Sequence, residues 1–199
     1  MVRVVLATHN PHKAREFQQI LGDVVPGLEI VGYDGPEPVE DGVTFEANAL
    51  IKARAAAAHT GLPALADDSG ICVDVMGGAP GIFSARWAGR HGDAQANLRL
   101  LLDQLADLPD GARAAHFTAT LALVSPDGTE TVVEGLWPGR IGHEARGEHG
   151  HGYDPIFVPD GHDATAAELG PEVKNAESHR SRAFAAIIPA LREMVAAER

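Results

Sequence analysis

Two adjacent carboxylates, Asp67 and Asp68, follow a short apolar run and precede a Ser-Gly pair. Neighbouring side chains of an extended chain point to opposite faces, so one carboxylate can face a metal or water while the other supports the loop. An oxygen ligand from Glu40 or Asp41 can join Asp68 around Mg²⁺, which favours one or two carboxylates plus substrate phosphates. The alternatives are an acidic turn and solvated loop charges.

A candidate anion site lies near the start of the chain. The polar stretch Thr8–Lys13 directly follows an apolar run at 2–7, and Asn10 can cap a helix whose first residue is Pro11. Free N–H groups and the positive end of the helix dipole favour phosphate at such a junction. The alternative is a helix cap without a ligand.

A third group of polar residues lies in the last quarter of the chain. In the run 151–155, His-Gly-Tyr-Asp-Pro, the glycine lets the backbone approach a ligand closely and the tyrosine offers a flat aromatic face. Hydrogen-bond donors are added by Lys174, His179 and Arg180. Two cations at the start of the closing helix oppose its dipole, which suggests an anion or a ligand acceptor nearby. A turn, a core tyrosine and a basic first helical turn are the alternatives.

Four histidines between 143 and 162 raise the question of a zinc site. Their spacing matches no zinc pattern and no cysteine accompanies them, so a solvated loop is the favoured interpretation.

The elements that must position these residues begin as strand, loop and helix. Predicted strands are 2–7, 28–33, 64–66, 71–75, 114–124, 129–137 and 156–158, with loop residues at 67–70. Predicted helices run from Pro11 to a stop at Gly22, over 44–59 with small residues for close packing on a sheet, over 93–106, and from about Ser178 with a kink near Pro189. The turn 125–128, Ser-Pro-Asp-Gly, predicts a hairpin in the middle of the chain.

Composition limits the class of protein. The chain has 199 residues, 45% hydrophobic and 22% charged, which predicts a single domain over 1–199. A formal net charge of −12 argues against a general nucleic-acid binder. No apolar stretch approaches ~20 residues, and Cys72 is the only cysteine, so we expect a cytoplasmic protein without a membrane span.

Taken together, these segments resemble the inosine/xanthosine triphosphate pyrophosphatase family, which is distantly related to Maf-type proteins. The resemblance runs nearly end to end. It is carried by Leu6-Ala7-Thr8-x-Asn10-x-x-Lys13 with Glu16, Gly42-x-Thr44-Phe45 with Asn48-Ala49 and Lys52-Ala53, Ala66-Asp67-Asp68-Ser69-Gly70, Gly77-Gly78-Ala79-Pro80-Gly81 with Ser84-Ala85-Arg86, Gly152-Tyr153-Asp154-Pro155, and Lys174 with Ser178-His179-Arg180.

The resemblance implies an α/β fold of two lobes on a long, mixed, twisted sheet flanked by helices, with the active site in the cleft between lobes, and a homodimer. It implies Mg²⁺-dependent conversion of ITP, dITP and XTP to monophosphate and pyrophosphate. Asp68 is the implied catalytic residue, and Glu40 and Asp68 are the implied metal ligands. The implied substrate-binding residues are Thr8, His9, Asn10, Pro11, His12, Lys13, Ser69, His151, Gly152, Tyr153, Asp154, Lys174, His179 and Arg180.

This chain departs from the family pattern at a few positions. His9 and His12 stand where glycines are usual, which narrows the backbone freedom there and adds possible phosphate donors. His151 stands where Phe is common, and Ala47 replaces a frequent capping-box Glu. Three other functions stay open: a Maf-like pyrophosphatase of modified pyrimidines or dTTP, a non-catalytic nucleotide sensor, and a zinc-binding interaction protein.

Overall fold

The computed structural model describes residues 1–9 and 11–197, except the side chains of residues 11–13 and 16. The strands are Val2–Leu6 (β1), Leu28–Gly32 (β2), Ala64–Val73 (β3), Ala114–Val124 (β4), Glu130–Ile141 (β5) and Phe157–Pro159 (β6). The α-helices are Pro11–Val24 (α1), Phe45–Thr60 (α2), Ala94–Gln104 (α3), Gly170–Glu177 (α4) and His179–Ala197 (α5).

The strands form a sheet in the order β2-β1-β3-β4-β5-β6. β1 is parallel to β2 and to β3, with Leu6 opposite both Gly32 and Leu65. The neighbours β4 and β5 are joined only by 125–129, a link far too short for a parallel crossover, and β6 is antiparallel to β5. The mixed sheet flanked by helices is therefore confirmed.

Contacts divide the chain into two compact units. Unit 1 comprises Met1–Asp68, Thr120–Glu134 and Ala183–Arg199, and unit 2 comprises Ser69–Ala119 and Gly135–Arg182. Strands β3, β4 and β5 each contribute residues to both units. Among the described residues, none of the helices is long and apolar enough to cross a membrane.

The core of unit 1 depends on small side chains of α2. The helix begins after Thr44, whose hydroxyl accepts from the Ala47 N–H at 3.0 Å, and ends at Gly61, where φ is 67°. Ala49 and Ala53 are fully buried in a cluster with residues of β1 and β3. Alanine lets a helix approach closely to neighbouring chain, so the predicted close packing of this helix is confirmed.

The core of unit 2 contains several aromatic side chains. Leucines of α3 pack with Trp137 and Phe157, and Asp93 caps this helix by accepting from the Ala96 N–H at 3.1 Å. Arg113 is 1% exposed and donates to the carbonyl oxygens of three residues, Leu105, Ile141 and Gly142. Its burial lowers the pKa of the guanidinium. The arginine therefore satisfies buried carbonyl groups that water cannot reach.

The structure corrects the predicted break in the third strand. Residues 67–70 were expected to form a loop between strands 64–66 and 71–75, but β3 is continuous and 74–76 is a short 3-10 turn. β3 lies between β1 and β4 in the sheet. With a partner on each side, backbone hydrogen bonding outweighs the poor strand propensity of Asp and Gly.

Two helix boundaries also differ from the prediction. α1 continues past Gly22 to Val24, because Leu21 and Val25 are both buried and the Val25 N–H still donates to the Leu21 carbonyl oxygen at 2.8 Å. The sequence did not predict α4, whose residues carry no buried apolar side chain and so give no periodic signal. The final helix begins at His179, next to the expected Ser178.

Candidate functional site

The first candidate region lies in unit 1, where parallel strands end. The Ala7 N–H donates to the Leu65 carbonyl oxygen at 2.8 Å, so Thr8 follows β1 near the point where β3 continues toward Asp68. Carboxyl ends of parallel strands are the usual location of ligand sites in α/β folds. Of the predicted phosphate ligands, Asn10 and the side chains of Pro11, His12 and Lys13 lie outside the described residues.

The two predicted metal ligands meet at a lysine. The Lys52 ammonium nitrogen lies 3.2 Å from a Glu40 carboxylate oxygen and 3.9 Å from an Asp68 carboxylate oxygen. The side chains of Lys52 and Asp68 are 17% and 19% exposed, whereas that of Glu40 is 42% exposed. We call Glu40, Lys52 and Asp68 the carboxylate cluster. It joins two acidic residues that are 28 positions apart in the sequence, from 40 to 68.

Helix α2 supplies the residues that hold Asp68. Asn48 and Lys52 are one helical turn apart and share a face. The Asn48 amide donates to the second Asp68 carboxylate oxygen at 3.2 Å, which orients the carboxylate from two sides. Among the described residues, the buried Asn48 amide oxygen has no hydrogen-bond partner, so an acceptor beside Asp68 remains available.

Neither Asn48 nor Lys52 had a predicted role, although both belong to the motifs that carry the resemblance. A usable signal was present in their spacing. They recur at i and i+4 on a helix whose neighbouring positions Ala49 and Ala53 are buried. Polar residues bordering such a face are placed close to whatever the face packs against.

The carboxylate cluster fits a magnesium ion. Mg²⁺ prefers oxygen ligands, and a site with one or two carboxylates is completed by substrate phosphates. Glu40 and Asp68 already converge on one cation, and the free amide oxygen of Asn48 is a further hard donor. Within the described parts of the chain, no three His, Cys, Asp or Glu residues are grouped so that they could hold a metal ion by themselves.

The second candidate region lies in unit 2 and centres on Asp154. This residue is 3% exposed, and its carboxylate accepts from the His151 N–H at 2.8 Å and from the Lys174 ammonium. Gly152 has φ of 66°, a conformation that favours glycine. Asp154 therefore ties the 151–153 turn to α4, while the His151 side chain is exposed.

Tyr153 is fixed inside unit 2. Its ring is 5% exposed, and its hydroxyl donates to the Ser84 carbonyl oxygen at 2.8 Å. Burial raises the pKa of this phenol, because the charged form loses its hydration. The residue packs in the same core cluster as Phe117 and Trp137.

His179, the first residue of α5, lies beside these aromatic residues. The buried His179 ring is stacked on Phe117, with centroids 4.9 Å apart and planes 13° apart, and it also stacks on Trp137 at 6.5 Å. In the described residues the buried Arg180 Nε lacks a hydrogen-bond partner. Ser178 caps the helix, its hydroxyl accepting from the Ser181 N–H at 3.4 Å. A cationic donor at a helix N-terminus therefore remains available to a ligand.

The structure thus brings the predicted residues together in two groups. In unit 1, Glu40 and Asp68 converge, with Thr8 and His9 on the turn after β1. In unit 2, the turn at 151–154 contacts Lys174, and Ser69 is the half-buried first residue of the unit.

Known proteins are similar to this chain over nearly its whole length. A dITP/XTP pyrophosphatase of Leifsonia xyli subsp. xyli is 84% identical over 194 residues, which cover 98% of this chain and 98% of that protein. A crystal structure of a nucleoside-triphosphatase, a dITP/XTP pyrophosphatase from Mycobacterium abscessus, is 51% identical, covers 94% of this chain and all of its own, and has a TM-score of 0.83. The structure of a HAM1 protein from Coxiella burnetii is 40% identical, covers 97% and 100% of the two chains, and has a TM-score of 0.90.

The family model described as the Ham1 family matches residues 4–190, nearly the whole chain. With that match and a relative that is 84% identical over 98% of its length, this chain belongs to the Ham1 family.

Proposed function

We propose that this protein is a nucleoside triphosphate pyrophosphatase that converts ITP, dITP and XTP to the nucleoside monophosphate and pyrophosphate. Membership of the Ham1 family and the similarity to the dITP/XTP pyrophosphatase of Leifsonia xyli, at 84% identity, support the reaction. The structural observation that carries it is the carboxylate cluster, in which Glu40 and Asp68 meet within 4 Å of Lys52 Nζ. A protein that only binds nucleotide has little use for such an arrangement.

Glu40 and Asp68 hold Mg²⁺ in this proposal. The ion, when bound, neutralises charge on the phosphate oxygens and on the departing pyrophosphate. Lys52 compensates the charge of the two carboxylates, which otherwise repel each other at this separation. The carboxylates can therefore stay close together before metal and substrate arrive.

Asp68 is the general base. One carboxylate oxygen takes a proton from a water molecule as the water oxygen bonds to the α-phosphorus and the bond from that phosphorus to the bridging oxygen of the β-phosphate breaks. The Asn48 amide, 3.2 Å from Asp68, and the Lys52 ammonium limit rotation of the carboxylate. Its partial exposure leaves room for the attacking water, and fixed orientation is a large part of what a base contributes.

Thr8–Lys13, Ser69 and Lys174 bind the triphosphate. A turn that leads into a helix N-terminus presents backbone N–H groups to phosphate oxygens, and Lys13 and Lys174 add positive charge. Lys174 is already held by the buried Asp154. Its ammonium is thus positioned before substrate binds.

His151, Gly152, Tyr153, Asp154, His179 and Arg180 recognise the base. Hypoxanthine and xanthine carry an oxygen at C6, which accepts from a cationic donor such as Arg180, whereas adenine presents an amino group there. A mismatched donor leaves buried polar groups unpaired, and this can reduce turnover of ATP by up to ~10⁴-fold. The buried Arg180 Nε supports the assignment.

We further propose that residues 1–199 form a single catalytic domain and that the protein is a cytoplasmic homodimer, without nucleic-acid or membrane partners. By removing deaminated purine nucleotides, the enzyme prevents their incorporation into DNA and RNA. Light scattering of the purified chain measures the oligomeric state directly, and a monomeric mass at micromolar concentration rejects the dimer.

The test is a panel of ITP, dITP, XTP, ATP, GTP and dTTP with Mg²⁺, with and without a chelator. We expect monophosphate and pyrophosphate from the first three, poor activity on ATP and dTTP, and no activity with chelator. In ¹⁸O-labelled water the label must enter the monophosphate, since attack occurs at the α-phosphorus. Release of inorganic phosphate, or label in pyrophosphate, contradicts the proposal, and preference for dTTP favours the Maf-like alternative.

A further inference from the structure

His9 lies on the turn after β1. Its imidazole contacts two groups that follow β2. Nε2 lies 2.8 Å from the Gly35 carbonyl oxygen, and Nδ1 lies 2.9 Å from a Glu37 carboxylate oxygen. Since β1 and β2 are adjacent parallel strands, one side chain connects the two loops at their carboxyl ends.

The partners determine where the protons of the ring are. A carbonyl oxygen only accepts, and an ionised carboxylate only accepts, so both ring nitrogens must donate for both bonds to form. The proton positions follow from this requirement and are not themselves seen. Only the imidazolium form of His9 satisfies Gly35 and Glu37 together, because a neutral ring directs one nitrogen lone pair at an acceptor.

A third contact orients the ring. His9 lies parallel to the ring of Tyr33, with planes 4° apart and centroids 5.5 Å apart, an offset stack. Tyr33 is itself fixed, because it is 7% exposed and its hydroxyl donates to the Pro36 carbonyl oxygen at 2.9 Å. A cationic ring over an aromatic face is also favourable electrostatically.

We propose that His9 is a positioning residue whose imidazolium ties the phosphate-binding turn to the loop that carries Glu40. The inference rests on the proposed function, since that function gives the turn its phosphate and Glu40 its metal. Glu37 is three residues before Glu40, whose carboxylate contacts Lys52. Through two hydrogen bonds His9 therefore holds the turn and the metal-ligand loop in one arrangement, without its ring nitrogens touching substrate.

Protonation of His9 consequently affects nucleotide binding. Ionisable groups around the ring are Glu37 and Tyr33, with Asp34 beside Tyr33. His59 of α2 contacts Tyr33 edge-on. When His9 loses its proton, the bond to Glu37 is lost and the bond to Gly35 remains. The connection therefore depends on the second proton of the His9 ring.

Three variants separate the contributions. His9→Gln keeps one donor and loses the charge, so KM for dITP should rise about three- to tenfold while kcat changes less than about twofold. His9→Arg keeps a cation with several donors that does not titrate, so it should restore KM. In Glu37→Gln, the new amide can accept from the imidazolium or donate to the neutral ring. His9 should therefore keep its hydrogen bonds to residues 35 and 37 in both protonation states.

The pH profile is the discriminating readout. All kcat/KM values are divided by the value for His9→Arg at the same pH. Between about pH 5.5 and 8.5, this ratio should fall about three- to fivefold for the wild type and should stay constant for Glu37→Gln. His59→Gln is the histidine control and Glu29→Gln is the exposed-carboxylate control, and both should follow the wild type. Thermal unfolding of each variant identifies effects that arise from stability alone.

A measurement without nucleotide tests the contact itself. In ¹⁵N NMR spectra of the histidine side chains, assigned with His9→Gln, we expect both His9 nitrogens to be protonated at the pH where kcat/KM of the wild type is highest. One unprotonated nitrogen there, or unchanged KM and pH profile in His9→Gln, overturns the inference. If the NMR result holds while hydrolysis releases inorganic phosphate instead of pyrophosphate, the proposed function fails and the contact between the loops stands.

Discussion

The groups assigned to chemistry and to recognition are built differently. The carboxylate cluster of unit 1 consists of charged side chains that remain partly exposed, and its members are held by one another and by Asn48. In unit 2, Tyr153, Asp154 and His179 are each no more than 7% exposed. They are fixed by the Ser84 carbonyl group, the Lys174 ammonium and the stacked Phe117 ring, respectively. Water, metal and phosphate need access to the first group, whereas discrimination between bases needs rigidity in the second.

The largest expected effect is a loss of stability in unit 2. Arg113→Met leaves the carbonyl groups of Leu105, Ile141 and Gly142 without their buried donor. We expect the free energy of unfolding to fall by about 3–5 kcal/mol, since each unsatisfied buried group costs roughly 1–3 kcal/mol. Urea unfolding followed by tryptophan fluorescence measures this in unit 2, because both tryptophans, Trp87 and Trp137, belong to it.

The control for that prediction is Arg54→Met. Arg54 pairs with Glu130 at the surface, at 2.6 Å, and its side chain is 54% exposed. Its loss should change the free energy of unfolding by less than about 1 kcal/mol. A comparable loss in the two variants contradicts the structural role given to Arg113.

Asp68→Asn separates binding from chemistry in unit 1. The amide keeps the size of the side chain but is a far weaker base, so turnover of dITP should fall at least ~100-fold while nucleotide affinity changes little. Single-turnover kinetics and equilibrium binding measure the two effects. Near-normal turnover removes Asp68 from the role of base, and Glu29→Gln is the control for loss of a carboxylate.

Glu40→Gln tests whether the cluster holds metal in the absence of substrate. Mg²⁺ at ten times its Kd stabilises a folded protein by roughly 1.4 kcal/mol, so it should raise the Tm of the wild type. The rise should be reduced in Glu40→Gln and retained in His59→Gln. Equal Mg²⁺-induced shifts in the two variants exclude Glu40 as a ligand.

The smallest expected effect near neutral pH is the contribution of tyrosine ionisation to stability. The chain has two, and burial raises the pKa of both Tyr33 and Tyr153 above the usual value of 10.0. The folded state then binds protons more tightly than the unfolded state, so their contribution to stability is complete below pH ~10 and is lost as pH rises further. Absorbance near 295 nm should show little tyrosinate at pH ~10 in the native protein. A normal titration of one tyrosine there contradicts its burial.

Elements that depend on local sequence signals, such as turns, were predicted well. The helix predicted over 44–59 and the hairpin predicted at 125–128 are both present, the hairpin with the Ser125 N–H donating to the Thr129 carbonyl oxygen at 2.9 Å. The continuity of β3 through Asp67–Gly70 was not predicted, because it depends on partner strands on both sides. Local propensity carries no information about such partners.

The same distinction applies to the candidate site. The acidic residues at 40 and 68 were identifiable by type, and family resemblance joined them, but the role of Lys52 required the geometry of α2 against the strand. His9 was expected to add a phosphate donor. Its contacts with Gly35 and Glu37 depend on two adjacent parallel strands ending together, which no local pattern contains.

The most direct test of the division between chemistry and recognition compares kcat/KM for dITP and dATP in the wild type, Asp68→Asn and Arg180→Gln. The account predicts that Asp68→Asn lowers both values by a similar factor and leaves their ratio within about twofold. Arg180→Gln should reduce the dITP-to-dATP ratio at least about tenfold, the effect of losing one hydrogen bond from a charged donor. A changed ratio in Asp68→Asn with an unchanged ratio in Arg180→Gln contradicts the account.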